Sequence, residues 1–531
     1  MTSRLSSRPP RALFGAAVAA ALVALIPLVY LVVRVADAGL AQVLETLARP
    51  RTVETVGTSV ALTLVVVAAC LLLGLPTAWL LARARVWQRR GWLVLVALPL
   101  AIPSYVAAYA WIAIFPGMSG FWAAAFVLTL VSLPYVVVPV VAALRSADPS
   151  LEEVARTLGR GPRRAFVEAT LPQAWPAAAA GSLLVALYVL SDFGAVSLFR
   201  VDAFTRVIYA SYRASFDRTT AAVLALVLVA LAAGLVLLER RVRGRSRRFR
   251  TSGAALRPAP DVALTGRGQV GALAWLGVLI GLAIVVPVAS LLIRLAEGSR
   301  RPLDVGELAR AAANSAGVSL IGAALAVALA VPVALLAARY RGARVSAVET
   351  AAYSGHALPG VVVGLSLVFL TINLFPAAYQ TIATLAFAYA VLFLPKSIGA
   401  TRSAVAAVPP ILEQTARTLG RSAFGAWRST TLRLAWPGAA AGGLLVLLTA
   451  MKELPATLML RPTGLDTLAT ELWSRTEVAA YGAAAPYALA LIALAAVPAW
   501  LMSTAMHRRG GSTQRAADDD EADAAVDMVA P

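Results

Sequence analysis

With a lone cysteine, Cys70, no disulfide framework and no thiolate metal site can form within this chain. Histidine is almost as scarce. His356 lies before Leu358-Pro359 at the edge of an apolar run, and His507 stands beside Arg508 and Arg509, so they read as a structural residue and a solvated flank rather than metal ligands. Lysine occurs only at 396 and 452, after Pro395 and Met451, so the G-x-x-x-x-G-K-[ST] loop that cradles nucleotide phosphates is absent. Charge is thin as well. Only 14% of residues are Asp, Glu, Lys or Arg, against about 25% in a soluble domain. The formal net charge of +20 would suggest nucleic acid in a soluble protein. In a chain that is 60% hydrophobic it reads instead as arginines holding loops on one side of a membrane, with no nucleic-acid partner.

What the chain has is apolar length. Its mean hydropathy is +0.78, and runs of roughly 18 or more apolar residues are long enough to cross a bilayer as helices. The pattern predicts an all-α polytopic membrane protein with about twelve spans, at 12–33, 56–82, 91–115, 121–144, 174–197, 220–238, 269–293, 315–338, 350–375, 381–401, 435–459 and 484–505. The first run follows Arg4, Arg8 and Arg11 and precedes Ala36-Asp37-Ala38, as a signal peptide would. Its length exceeds the roughly 7–15 residues of a signal h-region, so it reads as a retained span. Arginine crowds the loops at 83–90, 239–250 and 339–344. Placing both termini in the cytoplasm puts these clusters inside, as the positive-inside rule requires. The tail 510–531, with Asp518-Asp519-Asp520-Glu521, has no apolar periodicity and is expected to be disordered.

One sentence is written twice. Leu151-Glu152-Glu153-Val154-Ala155-Arg156-Thr157-Leu158-Gly159-Arg160 returns as Leu412-Glu413-Gln414-Thr415-Ala416-Arg417-Thr418-Leu419-Gly420-Arg421, at an offset of 412 − 151 = 261. Leu133-Pro134 and Trp175-Pro176 recur at the same offset, and Pro103 recurs as Pro359 at 359 − 103 = 256. Two related halves of six spans therefore run in parallel. The first covers 1–238, with a polar loop near 146–173. The second covers 269–509, with its loop near 402–434. A basic linker, 239–268, joins them.

Each repeated island reads as a short amphipathic helix. Ser150 and Glu153 have the spacing of a capping box. Leu151, Val154, Ala155 and Leu158 share one face, Glu152 and Arg156 pair on the other, and Gly159 stops the helix. A second helical stretch follows, which Pro172 is expected to break before the next span. The second island keeps the face with Leu412, Thr415, Ala416 and Leu419, the pair as Glu413–Arg417, and the stop as Gly420. Pro409-Pro410 replaces the cap. Such a helix suits a groove in a partner protein; the alternative is a helix lying on the membrane or on its own domain.

The islands resemble the loop motif of binding-protein-dependent ABC importer permeases: Glu-Ala-Ala, three residues, Gly, then nine residues to an apolar-x-Leu-Pro ending. The matching positions are Glu153, Val154, Ala155, Gly159 and Leu171-Pro172, then Gln414, Thr415, Ala416, Gly420 and Leu432-Arg433. Gln414 replaces the acid, and Arg433 the proline, of the second copy. The resemblance covers essentially the whole chain as two fused type I permease halves. It implies that Glu152, Glu153, Ala155, Gly159, Glu413, Gln414, Ala416 and Gly420 couple to two ATPase subunits on the cytoplasmic side. It also implies an extracytoplasmic substrate-binding protein, surrounding membrane lipid and a multi-pass place in the bacterial inner membrane. ATP is then bound and hydrolysed in the partner subunit, and this chain is no enzyme and holds no cofactor.

Few ionisable residues fall mid-span, which weighs against a secondary transporter driven by an ion gradient, and a channel or scaffold would not need two coupling loops. After the fifth and eleventh spans, Asp192-Phe193-Gly194-Ala195-Val196-Ser197 aligns with Glu453-Leu454-Pro455-Ala456-Thr457-Leu458. These stretches resemble ferric-iron permeases, with fused thiamine and phosphonate permeases as alternatives. Asp192 and Glu453 stand at equivalent places as candidates for the translocation pathway, where an acidic pair suits a cation. The competing reading makes them structural, tied to a neighbouring Lys452 or to a helix end. Nothing else resembles a transition-metal site.

Overall fold

A computed structural model describes residues 9–213, 218–246, 261–298 and 303–496. Among these residues the structure is helical, with only an isolated bridge between Ala84 and Val262. Nine helices are long and apolar enough to cross a membrane, and two further bent pairs each make a broken span. With the shorter apolar helix Tyr481–Ala496 these account for all twelve expected spans. His507, the tail 510–531, the linker stretch 247–260 and the end of the last expected span lie outside the described residues, as does the His356 side chain.

The helices start where local chemistry allows. Thr265, Asp304 and Thr381 cap Gly266–Ile280, Val305–Arg339 and Ile382–Ala407 by accepting from Gly268, Glu307 and Thr384 backbone amides. Pro50 opens Pro50–Arg83 at its first turn, where no amide is needed. Helices are the form that hydrocarbon demands, because their backbone groups bond along the same segment.

Three expectations need correction. The third and ninth spans are not straight. Arg89–Ala101 and Ser104–Ile114 meet at 93°, and Ala343–Gly355 and Gly360–Leu374 at 95°. Pro103 and Pro359 stand just before the second arm of each, where they close off a continuing helix. Next, the fifth and eleventh spans stop at Ser191 and Ala450, and the chain turns into the short helices Gly194–Leu198 and Pro455–Leu460. Last, Pro172 does not break its helix. Pro162–Ser191 is continuous, with a wide turn at Phe166–Thr170 that places Pro172 where its missing amide costs nothing. The same wide turn recurs at Arg428–Leu432 although Arg433 replaces the proline, so proline is not its cause.

The two halves are interlocked. The opening helix of the first half, Arg11–Asp37, packs on the second half, where Ala17, Ala20, Ala21 and Ala24 share a core with Ala330, Val333 and Ile398. Tyr30 donates to the Phe369 carbonyl at 3.1 Å. In return, Gly266–Glu297 packs on the first half. Trp275 Nε1 donates to Thr77 Oγ1 at 2.9 Å and Ser290 Oγ to the Ala110 carbonyl at 2.9 Å. Each half thus completes the other, and the small alanine face lets helix Arg11–Asp37 approach closely.

Candidate functional site

Both islands fold as short helix–turn–helix units. The first has Pro149–Thr157 followed by Pro162–Ala165, and the second Ile411–Thr418 followed by Ala423–Trp427. An even number of spans separates them, so they lie on the same side. The glycine stops hold: Gly159 and Gly420 each adopt φ +81°, the left-handed conformation that ends a helix. The expected Ser150–Glu153 capping box does not form. Asp148 is the cap, accepting the Ser150 amide at 2.9 Å with Pro149 at the first turn. Both residues can cap, and Pro149, which fits the first turn, sets the start two residues earlier. The second helix starts at Pro410 without a side-chain cap.

Leu151, Val154 and Leu158 are exposed on the first island, and Leu412, Thr415 and Leu419 on the second. Glu153 and Gln414 are exposed beside them; Ala155 is half-buried and Ala416 buried. Among the described residues nothing covers this apolar face.

Glu152 has a different place from the one its spacing suggested. It does pair with Arg156, at 2.8 Å, but its side chain is 7% exposed. Its second oxygen receives Arg83 Nη2 at 2.6 Å and Thr170 Oγ1 at 2.8 Å. Burial acts to raise this carboxyl's pKa; the Thr170 hydroxyl and the Arg83 and Arg156 guanidiniums outweigh it and hold the group below the usual glutamate range. Arg83 ends the span helix Pro50–Arg83, and Thr170 lies in the wide turn of Pro162–Ser191. One carboxylate therefore ties the island helix to two spans. Gln173 adds a second tie, its Oε1 accepting the Asp148 amide at 3.0 Å.

The second half repeats this clamp in a looser form. Arg339 ends Val305–Arg339 and lies 3.6 Å from Glu413, and Thr431 donates to the same carboxylate. Arg339 Nη1 donates to the Val408 carbonyl at 2.9 Å, and Nη2, the nitrogen nearest Glu413, donates to Thr431 Oγ1 at 3.2 Å. Glu413 is 19% exposed and, among the described residues, pairs with Arg339 rather than with Arg417. Sequence reasoning missed Arg83, Arg339, Thr170 and Thr431. The signal was available: 339 − 83 = 256 and 431 − 170 = 261 are the offsets that relate the halves.

Asp192 and Glu453 sit at the starts of the two short helices. Asp192 Oδ1 accepts the Ala195 and Val196 amides at 3.0 and 3.3 Å, and its other oxygen accepts the Ser104 hydroxyl. Glu453 Oε1 accepts the Ala456 amide at 3.2 Å. Each acid is also pressed against the second arm of a bent span. Ser104 opens Ser104–Ile114, and Gly360, its equivalent at 360 − 104 = 256, opens Gly360–Leu374. A Cβ built at Gly360 would overlap the Glu453 carboxylate. The first half pairs a shorter acid with serine and the second a longer acid with glycine, so the combined volume is conserved.

The family described as binding-protein-dependent transport system inner membrane component matches this chain twice, over residues 71–248 and 330–508. Over 479 residues, covering 90% of this chain and 95% of the relative, it is 35% identical to the Fe(3+)-transport system permease protein FbpB 2 of Haemophilus influenzae. It is 30% identical over 238 residues to the sulfate transport system permease protein CysT of Escherichia coli, spanning 41% of this chain and 85% of that one. It is 38% identical over 145 residues to the molybdenum transport system permease protein ModB of Mycobacterium tuberculosis, spanning 24% of this chain and 55% of that one.

Proposed function

This chain belongs to the family of binding-protein-dependent transport system inner membrane components, and from that premise we propose that it carries ferric iron by alternating access driven by separate ATPase subunits. It is an integral membrane protein and the permease of a binding-protein-dependent ABC importer, a transport protein rather than an enzyme. An ATPase and a substrate-binding protein are its partners by family. The observation that carries the iron reading is likeness across nearly the whole fused chain to a protein named as an Fe(3+) permease. In this reading the chain lies in a bacterial inner membrane with both termini in the cytoplasm. Two ATPase subunits, which bind and hydrolyse the ATP, seat the exposed apolar faces of the two islands. When the subunits close, the Glu152 and Glu413 clamps carry the movement to Pro50–Arg83 and Val305–Arg339. The pathway role of Asp192 and Glu453 is to hold the bends of the third and ninth spans.

The cargo is tested by binding-protein-dependent uptake of radiolabelled ferric iron, thiamine and phosphonate. Iron uptake is expected, and uptake of thiamine or phosphonate alone overturns the reading. The coupling role is tested at the glycine stops. Among the described residues nothing beyond the chain neighbours lies within 4 Å of a Cβ built at either Gly159 or Gly420, so within this chain a substitution there acts through the left-handed backbone. Gly159→Val is expected to cost about 1–2 kcal/mol at the helix end and to lower uptake and binding-protein-stimulated ATPase several-fold. Gly159→Asn, which tolerates this conformation, is expected to be mild. Wild-type uptake and stimulation in a Gly159→Val/Gly420→Val double variant would show that the islands do not couple.

A further inference from the structure

Of 47 basic residues, only Lys396 and Lys452 are lysine. The arginines crowd the loops, whereas Lys396 lies within a helix of the second half and Lys452 bridges to the first. Lys396 is 14 residues into the 26-residue helix Ile382–Ala407, or about 21 Å along it at 1.5 Å per residue. That is close to the middle of a span. Its Nζ donates to Thr449 Oγ1 at 2.9 Å and lies 5.2 Å from the Phe393 ring centroid, yet the side chain is exposed. Lys452 reaches across to the first half, its Nζ donating to the Leu100 carbonyl at 3.0 Å. The Tyr105 hydroxyl comes back to the Lys452 carbonyl at 3.4 Å. Thr449 links the two lysines: its hydroxyl accepts Lys396 Nζ, and its carbonyl accepts the Lys452 amide at 3.2 Å.

Among the described residues neither lysine has a carboxylate within ion-pair distance. Glu453, the acid next to Lys452, uses its Oε1 to cap Pro455–Leu460. Asp192 is spent on the equivalent cap. Lys396 is exposed, Lys452 and Glu453 are half-buried and Asp192 is buried, so two ammonium groups stand against one half-buried acid. The first half does not mirror it. The equivalents of Lys396 and Thr449 are Tyr135 and Tyr188, at 396 − 135 = 261 and 449 − 188 = 261, and their rings are 5.7 Å apart. A charge inside a membrane protein is expensive to keep without a function, and two neighbouring charges of one sign more so. Their contacts, Thr449 and the Leu100 carbonyl, fix their direction without neutralising them.

We propose that Lys396 and Lys452 form an anion-recognition step in the translocation pathway, so that the cargo crosses bearing an oxyanion. Resting on the ferric reading above, this means that iron crosses as a complex with a phosphate or carboxylate ligand, not as a bare cation. A bare ferric ion would meet two ammonium groups of its own sign; an anionic oxygen shell presents acceptors to both ammonium groups.

The test uses the full chain with its ATPase and binding protein in proteoliposomes. ⁵⁵Fe(III) is supplied in parallel with ³²P-phosphate and with ¹⁴C-citrate. One of the two labels is expected to enter with the iron. Lys396→Met and Lys452→Met should each lower iron uptake at least tenfold while binding-protein-stimulated ATPase persists, and Lys396→Arg should recover much of the loss. Iron entering with neither label, or a Lys396→Met/Lys452→Met double variant transporting at the wild-type rate, overturns the proposal. Loss of ATPase stimulation in both Met variants without recovery by Lys396→Arg assigns the lysines to the fold and overturns it too. If the wild type carries no iron but takes up labelled phosphate, molybdate or sulfate in a Lys396-dependent way, the ferric reading fails and the anion step stands.

Discussion

Arg83→Ala should be the most damaging single change in the coupling region, with a loss of about 3–5 kcal/mol, the usual effect of removing one partner from a buried ion pair. Glu152 is 7% exposed and would keep only Arg156 and the Thr170 hydroxyl. The island helix would then be free to shift against Pro50–Arg83, so binding-protein-stimulated ATPase should fall with the melting temperature. Arg339→Ala should cost less, because Glu413 is 3.6 Å away and more exposed, and it retains Thr431. Thermal unfolding in detergent, alongside the ATPase assay, ranks the two. Equal or reversed losses would refute the asymmetry of the clamps. The pH dependence has a definite sign. Glu152 is held below its ordinary range in the folded protein. Its contribution is therefore full above the unfolded value, about 4.3, and disappears as pH falls through the depressed folded one. Wild type and Glu152→Gln should differ at neutral pH and converge in acid.

Gly360→Ser should be nearly as severe, although it only copies the first half. The new Cβ overlaps the Glu453 carboxylate, so either the cap of Pro455–Leu460 or the 95° bend of the ninth span must give way. Overpacking of this kind typically costs about 1–3 kcal/mol. Adding Glu453→Asp shortens the acid by one methylene and reproduces the Ser104–Asp192 pair. The double variant should therefore recover much of the folded yield and uptake. Recovery should be incomplete, because Pro455 Cγ lies 3.1 Å from the same Cβ position, where the first half has Gly194. Size-exclusion profiles and iron uptake of the three variants test this. A double variant no better than Gly360→Ser would show that Glu453 is not what excludes a side chain there.

The repeated island was legible because its signals are local. A glycine stop, an amphipathic face and an i,i+4 acid–base spacing all lie within ten residues. The spans were legible for the same reason, since a bilayer requires unbroken apolar length. The capping residue was misplaced because Asp148 and Ser150 are both competent, and only the backbone path through Pro149 chooses. The bends were missed because Pro103 and Pro359 interrupt runs that remain apolar on both sides.

By itself, the sequence determined an all-helical membrane protein built from two parallel halves, each with a polar helix stopped by glycine, and lacking a nucleotide loop of its own. These follow from composition, periodicity and repeats, which short stretches of chain encode. Only the tertiary structure decided that the opening helices are exchanged between halves, that Glu152 faces Arg83 across 69 residues, and that the acids at 192 and 453 cap helices while the two lysines, among the described residues, donate to a hydroxyl and a carbonyl rather than to a carboxylate. The reason is physical. A side chain's charge is set by its type, but its partner is set by which distant helix arrives beside it, and in a low-dielectric interior that partner decides whether the charge is spent or available.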